Sequence, residues 1–262
     1  MSEATNSRPL AGRSIVVTRP AHQAQSLARL IEEAGGQPVL FPVIEILDVE
    51  DLGPFTKIVD RLDEYDFAIF ISPNSVEWAM TLITARRTLP AGLTIATIGG
   101  GGVRALERFG VTGVVAPLDR YDSEALLEQP AFEVVSFKRV VIFRGEGGRE
   151  RLGEALRERG ATVDYAECYR RRVPDADPAP LLKAWARGRI DAVTVTSSEG
   201  LRNLFDLVGD AGRAPLARTP MFVPHPRIAE AAQALEVRTV IVTGPGDSGL
   251  LTGLAAYFSA PR

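Results

Sequence analysis

Three arginines stand where apolar segments of the sequence end. Arg19 follows SIVVT, Arg144 follows RVVIF, and Arg227 comes shortly after MFV, in each case before a segment with a helical pattern. In parallel α/β sheets, ligands bind beyond the carboxyl ends of the strands. A guanidinium placed there can bind a carboxylate through two hydrogen bonds. A surface ion pair is the alternative for any one of the three, but their similar placement favours a site for an anionic small molecule.

Serines follow two other apolar segments. Ser72 and the pair Ser197-Ser198 each precede a helical pattern, where a serine side chain commonly accepts a hydrogen bond from an unpaired backbone N–H. A helix cap is one interpretation. The other is that these hydroxyls, with Asn74 and the N–H groups of the helix, bind an anion. No Gly-x-Ser-x-Gly pattern surrounds the serines, which argues against a serine hydrolase.

Four glycines, 99–102, separate an apolar segment from a helix expected over 103–109. Their backbone N–H groups, those of Gly101 and Gly102 in particular, could hold a phosphate or a carboxylate. The stretch is not a G-x-G-x-x-G motif followed by an acidic residue, and Gly-Lys-Ser/Thr does not occur, so a nucleotide site is disfavoured. The alternative is a turn that needs positive φ or close packing.

Two further side chains could take part in chemistry. His225 lies between Pro224 and Pro226, where its ring could donate to an anion or cap the helix that follows. Tyr169 carries a weakly acidic phenol, with an ordinary pKa of about 10, which can donate a proton to a leaving oxygen. A packing residue with one hydrogen bond is the alternative for the tyrosine.

These candidates belong to a sequence that repeats at an offset of 125 residues, from Asp66 to Asp191. DFAIFIS at 66–72 matches DAVTVTS at 191–197, and SIVVT at 14–18 matches RVVIF at 139–143. In each copy, short apolar strands alternate with helices, and Asp122-Ser123 and Asp247-Ser248 are expected to cap helices. The alternation predicts an α/β fold of two doubly wound, parallel-sheet domains.

Proline-rich stretches suggest where the domains are divided. Breaks at about 42 and about 172 do not bisect the repeat, so the middle of the chain is expected to be inserted into the other domain. We predict a discontinuous α/β domain over 9–41 plus 173–262 and an inserted α/β domain over 45–167. The linkers are expected at about 42–44 and 168–172.

Composition restricts the class of protein. A net charge of −3 argues against nucleic acid or an anionic membrane as the main partner. The single Cys168 excludes an intramolecular disulfide, and two histidines make a metal centre unexpected. The N-terminus lacks the apolar core of a signal peptide, and no apolar run approaches about 18 residues. We therefore expect a cytoplasmic protein, with residues 1–8 as a disordered leader.

Several stretches together resemble the uroporphyrinogen-III synthase family in its proteobacterial form. They are TSSEGLRNLF, FRGEGGRERLGEALRERGATVDYAECYRR and VPHPRIAEAA, with APLDRYDSEALLEQP and TGPGDSGLL similar as well. Each motif is loose alone, but their order is fairly specific. The resemblance covers about residues 10–258.

The resemblance implies two α/β domains joined by a two-stranded linker, with the active site in the cleft between them. The family is a group of hydro-lyases of tetrapyrrole and haem biosynthesis that use no metal or organic cofactor. They convert hydroxymethylbilane to uroporphyrinogen III, with loss of water and inversion of the last pyrrole ring through a spiro intermediate. Positioning and one proton donor suffice in principle for this reaction.

The resemblance also assigns roles to residues. Tyr169 falls on the tyrosine expected to act as general acid, and Ser72 and Ser197 fall on two serines at strand ends. His225 and Arg227 fall on a loop expected to lie across the cleft. One departure is Gly102, where many relatives have a threonine, so that backbone N–H groups must replace that hydroxyl or it does little.

Partners and alternative functions complete the expectations. The chain is expected to be a monomer that binds a linear tetrapyrrole, with transient contact to hydroxymethylbilane synthase and no nucleic acid or membrane partner. One alternative is a non-catalytic, two-lobed binding protein for a small polycarboxylate anion. Another is a dinucleotide-dependent oxidoreductase, which the glycine stretch does not support.

Overall fold

A computed structural model describes residues 8–118, 120, 122–148 and 150–260. Most of the expected leader, residues 1–7, lies outside this description. The chain forms two compact units, one combining Met1–Glu45 with Arg172–Arg262 and the other consisting of Ile46–Arg171. We call them the terminal unit and the central unit.

Helices and strands alternate along most of the chain. Over the described residues, the strands are β1 Ser14–Val17, β2 Gln37–Leu40, β3 Glu45–Leu47, β4 Phe67–Phe70, β5 Thr94–Thr97, β6 Arg139–Gly145, β7 Thr162–Arg172, β8 Ala192–Thr194, β9 Met221–Val223 and β10 Val240–Val242. The α-helices are α1 Ala21–Glu33, α2 Gly53–Asp60, α3 Pro73–Thr84, α4 Gly100–Arg108, α5 Ser123–Leu127, α6 Arg151–Glu158, α7 Ala179–Ala186, α8 Ser198–Arg218, α9 Pro226–Ala234 and α10 Gly246–Ser259. Alternation of this kind is typical of α/β folds.

Each unit contains one five-stranded sheet. The terminal sheet has the order β10-β9-β8-β1-β2, and all of its neighbouring strands are parallel. The central sheet has the order β3-β7-β6-β4-β5, with parallel pairing from β7 through β5. The predicted α/β class with two mostly parallel sheets is confirmed.

The aspartate of the first repeat copy connects two strands of the central sheet. The Asp66 backbone N–H donates to the Arg139 carbonyl over 2.9 Å, and the Asp66 carboxylate accepts from the Arg139 N–H over 2.8 Å. Lys138 Nζ lies 2.8 Å from the same carboxylate. This side-chain hydrogen bond lowers the pKa of Asp66. Asp66 therefore fixes the start of β6 beside the start of β4.

The aspartate of the second copy does the same in the terminal sheet. The Asp191 N–H donates to the Ser14 carbonyl over 2.9 Å, and the Asp191 carboxylate accepts from the Ser14 N–H over 2.9 Å. Arg13 Nη1 completes the set at 2.9 Å. The partners of Asp191 and of Asp66 are thus related by the same 125-residue offset as the aspartates.

Apolar side chains at helical spacing pack α3 against the central sheet. Val76, Ala79, Met80 and Ile83 follow the i, i+3, i+4, i+7 pattern and are buried. Beneath them, Phe70 and Phe143 of adjacent strands stack with their ring centroids 4.7 Å apart. Burial of each of the larger side chains, Val76, Met80, Ile83 and the two phenylalanines, contributes about 1.5–3 kcal/mol.

The helix expected over 103–109 begins earlier, at Gly100. Gly99 is its N-cap with an extended φ of −177°, and none of the glycines 99–102 has positive φ. The positive-φ interpretation of the glycine stretch is therefore wrong, whereas close packing is correct for Gly102, which is buried against Thr97. A Cβ on Gly102 would lie 2.0 Å from Thr97 Oγ1.

The two expected Asp-Ser caps differ. The Asp122 carboxylate caps α5 by accepting from the Ala125 N–H over 2.7 Å. Asp247 does not cap α10, because it lies inside the first turn and pairs with Arg19. Across the described residues, no helix combines the length and apolar character needed to cross a membrane.

Candidate functional site

The candidates of the central unit lie at one edge of its sheet. Ser72 lies two residues beyond β4, Gly101 and Gly102 lie in the first turn of the helix after β5, and Arg144 and Tyr169 lie in β6 and β7. Because β4 to β7 pair in parallel, their carboxyl ends meet at the same edge. We call this edge, with Asn74 in the first turn of α3, the central rim.

Tyr169 and Ser72 meet through their hydroxyl groups. The Tyr169 phenol oxygen lies 3.3 Å from Ser72 Oγ, which is within hydrogen-bond distance. Tyr169 is only 2% exposed and its ring packs near Trp78, with centroids 6.0 Å apart, whereas Ser72 is half-buried. Ser72 is therefore the more exposed residue of the pair.

A local irregularity in the pairing of β6 and β7 lies beside the tyrosine ring. The register between β6 and β7 shifts between Arg144 and Gly145, so that Gly145 pairs with Tyr169. The Glu146 N–H then donates to the Tyr169 carbonyl over 2.8 Å. Bulges of this kind re-aim side chains at the edges of sheets, and here the bulge lies directly beside the Tyr169 ring.

Both candidate serines cap helices. Ser72 Oγ accepts from the Ser75 N–H over 3.1 Å, and Ser75 Oγ accepts from the Ser72 N–H over 3.0 Å, which is a capping box. Ser197 Oγ accepts from the Gly200 N–H over 2.9 Å at the start of α8. The helix-cap interpretation is confirmed for both, and it places each hydroxyl beside the positive end of a helix dipole.

Arg144 is held inside the central unit. Its side chain is 7% exposed, and its Nη2 lies 3.0 Å from Glu167 Oε1 while its Nη1 donates to the Gly148 carbonyl over 3.0 Å. The guanidinium also stacks over the Tyr165 ring at 3.8 Å from the centroid. These contacts make Arg144 a buried, paired cation rather than an open one on the rim.

The candidates of the terminal unit lie at the carboxyl ends of β1, β8 and β9, which we call the terminal rim. Arg19 follows β1 and pairs with Asp247, and both side chains are less than one-fifth exposed. Ser198 is the first residue of α8, directly after Ser197. The Arg19 charge is thus already balanced within the unit, whereas the serines lie at a helix N-terminus suited to an anion.

His225 and Arg227 form the exposed part of the terminal rim. His225 is the N-cap of α9, where its Nδ1 accepts from the Arg227 N–H over 3.1 Å. Both residues are exposed. The cap considered for His225 is therefore present, and it occupies Nδ1 but neither Nε2 nor the Arg227 guanidinium.

Sequence reasoning missed the residues that support these candidates. Ser75 completes the cap of Ser72, Thr97 fills the space beside Gly102, and Glu167 with Tyr165 holds Arg144. The Ser-x-x-Ser spacing of the capping box was a visible signal. Thr97 and Gly102 are only five residues apart, but that they touch depends on how α4 packs on the end of β5. The contacts of Arg144 join two strands, β6 and β7, which no single segment reveals.

Cys168 is unsuited to nucleophilic chemistry. It is 1% exposed, and burial raises the pKa of its thiol to about 12. A thiol needs its thiolate form to attack, and at neutral pH this one is protonated. The described residues also contain no group of three His, Cys, Asp or Glu side chains that could hold a metal ion.

A cavity of about 490 Å³ in the central unit has the wrong charge for a polycarboxylate. Among the described residues that line it, Arg170 is the one basic residue, and Tyr165 lies there as well. The acidic residues of the lining are Glu50, Asp51, Glu146 and Glu167. The four carboxylates of the lining would repel the carboxylates of such a ligand. The two rims, with their hydroxyls and helix N-termini, are better suited to an anion.

Comparison with known proteins gives a consistent family. The model of the family described as "Uroporphyrinogen-III synthase HemD" matches residues 25–251. The chain is 32% identical over 240 residues to the uroporphyrinogen-III synthase of Salmonella typhimurium, covering 91% of this chain and 98% of that protein. The Escherichia coli K12 protein of the same name is 30% identical over the same shares of both chains.

A solved structure has the same fold. A mutant uroporphyrinogen III synthase from the extremely thermophilic bacterium Thermus thermophilus superimposes with a TM-score of 0.63, covering 94% of this chain and 99% of the other. Sequence identity is 21%, so this likeness concerns the fold alone. It supports a two-domain α/β architecture.

Proposed function

The chain belongs to the uroporphyrinogen-III synthase family, and from this we propose that it cyclises hydroxymethylbilane to uroporphyrinogen III. The reaction is a hydro-lyase step, with loss of water and inversion of the last pyrrole ring through a spiro intermediate. The observation that carries the proposal is the family match over residues 25–251, which spans both units.

The substrate is a linear tetrapyrrole whose acetate and propionate arms are anions. We assign their binding to the terminal rim and the central rim, where serine hydroxyls and helix N-termini meet. Arg227, His225 and Asn74 are the further side chains that we assign to these arms. The inward contacts of Arg19 and Arg144 favour a supporting role for both arginines.

The chemistry requires little beyond positioning. Loss of hydroxide from the bilane gives an azafulvene cation, which the last ring attacks at its substituted carbon. The protein must fold the chain for that attack and supply one proton to the departing hydroxyl. We assign the proton to Tyr169, whose phenol lies at the central rim.

An isomer assay tests this function. Fresh hydroxymethylbilane is incubated with the purified protein, and the type III and type I products are separated and measured. We expect type III, because the unassisted bilane closes without inversion. Formation of type I alone, at the rate of the blank, would contradict the proposal and favour the binding-protein alternative. A titration with NAD(P)H, for which we expect no binding, tests the oxidoreductase alternative.

Partner and location are part of the proposal. We expect a cytoplasmic monomer that contacts hydroxymethylbilane synthase transiently. Sedimentation of the protein alone would test the monomer, and sedimentation with that enzyme would test the contact. The domain limits 9–41 plus 173–262 and 45–167, with linkers at 42–44 and 168–172, stay predictions.

A further inference from the structure

The proton donor assigned above is buried beneath another hydroxyl. Tyr169 is 2% exposed, and its phenol oxygen lies 3.3 Å from the oxygen of half-buried Ser72. A substrate at the central rim would therefore meet the serine hydroxyl before the phenol. This arrangement raises the question of which oxygen delivers the proton.

We propose that Ser72 is itself a catalytic residue, which relays the proton from Tyr169 to the departing hydroxyl of the bilane. The proposal rests on the proposed function and deepens it. It changes Ser72 from a residue that binds a carboxylate to one that touches the reacting oxygen.

The hydrogen bonds of Ser72 leave its proton available. A serine hydroxyl has one proton and two lone pairs. One lone pair accepts from the Ser75 N–H over 3.1 Å, and the other can accept from the Tyr169 phenol. In that arrangement neither hydrogen bond uses the Ser72 proton, which can then be donated to a substrate.

Ser75 keeps this polarity in place. Its hydroxyl donates to the Ser72 carbonyl over 2.8 Å and accepts from the Ser72 N–H over 3.0 Å. The single proton of the Ser75 hydroxyl is thereby used, so Ser75 does not donate to Ser72 Oγ. The capping box therefore orients the hydroxyl that the relay needs.

Over the whole reaction, the relay restores the protons of Ser72 and Tyr169. As the carbon–oxygen bond of the hydroxymethyl group breaks, both electrons stay with oxygen, which takes the Ser72 proton and leaves as water. Ser72 takes the phenol proton, which leaves a phenolate opposite the azafulvene cation. After inversion, the ring carbon that makes the final bond loses its proton, and this proton returns through Ser72 to the phenolate.

The first test is a double-mutant cycle. Tyr169→Phe and Ser72→Ala should each lower kcat by roughly 10- to 100-fold, the low end of general acid catalysis, with little change in KM. The double variant should be no slower than either single variant, because both break the same path. Losses that multiply in the double variant, or a Ser72→Ala variant that changes KM alone, would overturn the relay.

Conservative variants separate the relay from the cap. Ser72→Thr keeps both the cap and the hydroxyl and should retain most of kcat. Ser72→Asn keeps the cap but carries no hydroxyl, so it should fold normally and lose kcat as Ser72→Ala does. If Ser72→Asn is as fast as wild type, the relay is wrong.

A cap variant elsewhere in the central unit serves as the control. Asp122→Ala removes the cap of α5, away from Ser72, and should lower the melting temperature without lowering kcat. Wild-type protein in the same assay distinguishes failure of the relay from failure of the proposed function. If the wild type gives type III product and Ser72→Ala is unimpaired, the relay fails while the function stands.

Discussion

The ring of Tyr169 occupies the space in which any residue other than glycine at position 145 would place its Cβ. An ideal Cβ on Gly145 would lie 2.6 Å from Cε2 and 2.8 Å from Cζ of that ring. Both residues lie at the register shift of β6 and β7. The Tyr169 ring can occupy this position only because residue 145 has no side chain.

We expect Gly145→Ala to displace the Tyr169 ring. Overpacking of this kind costs about 1–3 kcal/mol of unfolding free energy. The displaced phenol should also lower kcat towards the value for Tyr169→Phe. Urea unfolding and steady-state kinetics measure the two effects. Gly92→Ala is the matched control, because a Cβ there meets no atom within 4 Å, and it should change neither quantity. Wild-type kcat in Gly145→Ala would show that the ring position is not critical.

Gly102→Thr, which introduces the residue that the family resemblance implies at this position, should destabilise the protein. The new Cβ would lie 2.0 Å from Oγ1 and 3.0 Å from Cγ2 of Thr97. We expect a loss of about 1–3 kcal/mol in urea unfolding. Thr97→Ala removes both of those atoms but gives up the hydrogen bond to the Phe70 carbonyl. The double variant should therefore be more stable than the sum of the single changes predicts. If the changes in unfolding free energy of the two single variants simply add in the double variant, the side chains at 97 and 102 do not compete for this space.

Arg144 and Arg227 should respond in opposite ways to replacement by alanine. Arg144→Ala removes a buried cation from Glu167 and Tyr165, so we expect a loss of about 1–3 kcal/mol of unfolding free energy. Arg227 is exposed, so Arg227→Ala should change stability by less than about 0.5 kcal/mol. It should instead raise KM for the bilane more than it lowers kcat.

Two outcomes would reverse this assignment of the arginines. A stable Arg144→Ala variant with a raised KM would make Arg144 a substrate ligand. A lowered kcat at unchanged KM in Arg227→Ala would mean that this guanidinium acts on the transition state.

Cys168 should make the protein less stable in alkali. Burial raises the pKa of its thiol to about 12 in the folded state, against about 8.5 in the unfolded chain. A raised folded pKa means that the contribution is complete below the unfolded value and is lost as pH rises through the folded one. Unfolding free energy should therefore fall by up to about 1.4 kcal/mol per pH unit above about pH 9.

The measurement is urea unfolding at several pH values in wild type and Cys168→Ala. The variant should lose stability less steeply between about pH 9 and about pH 11. Some decline should remain, because burial and the hydrogen bond to Asp164 also raise the pKa of Tyr65 to about 12. Equal slopes in the two proteins would show that the thiol is not shielded from water in the folded state.

The repeat and the two serine caps were predictable because their signals are local. Asp66 and Asp191 precede matching strands, and Ser72 and Ser197 follow them, so a single segment contains the whole pattern. The structure then gives both aspartates equivalent partners. A short strand followed by a capping serine is recognisable wherever it occurs.

The environments of the arginines were not predictable in the same way. Arg144 is buried because β6 and β7 pair in a register that sets it opposite Glu167, and that register depends on the whole sheet. Arg19 finds its partner Asp247 at a distance of 228 residues in the sequence. The sequence can place an arginine at the end of a strand. Whether its guanidinium is exposed or paired with a carboxylate depends on packing between distant segments.

The contacts of the two aspartates also bear on how the chain folds as it leaves the ribosome. Asp66 meets residues that are 72 and 73 positions later, all within the central unit. Asp191 instead meets Ser14 and Arg13, which were synthesised 177 and 178 residues earlier. The edge of β1 that pairs with β8 therefore stays unpaired until the whole central unit has been synthesised. Such delayed, long-range pairing slows folding and exposes strand edges to aggregation, so this protein's vulnerable interval falls during its own translation.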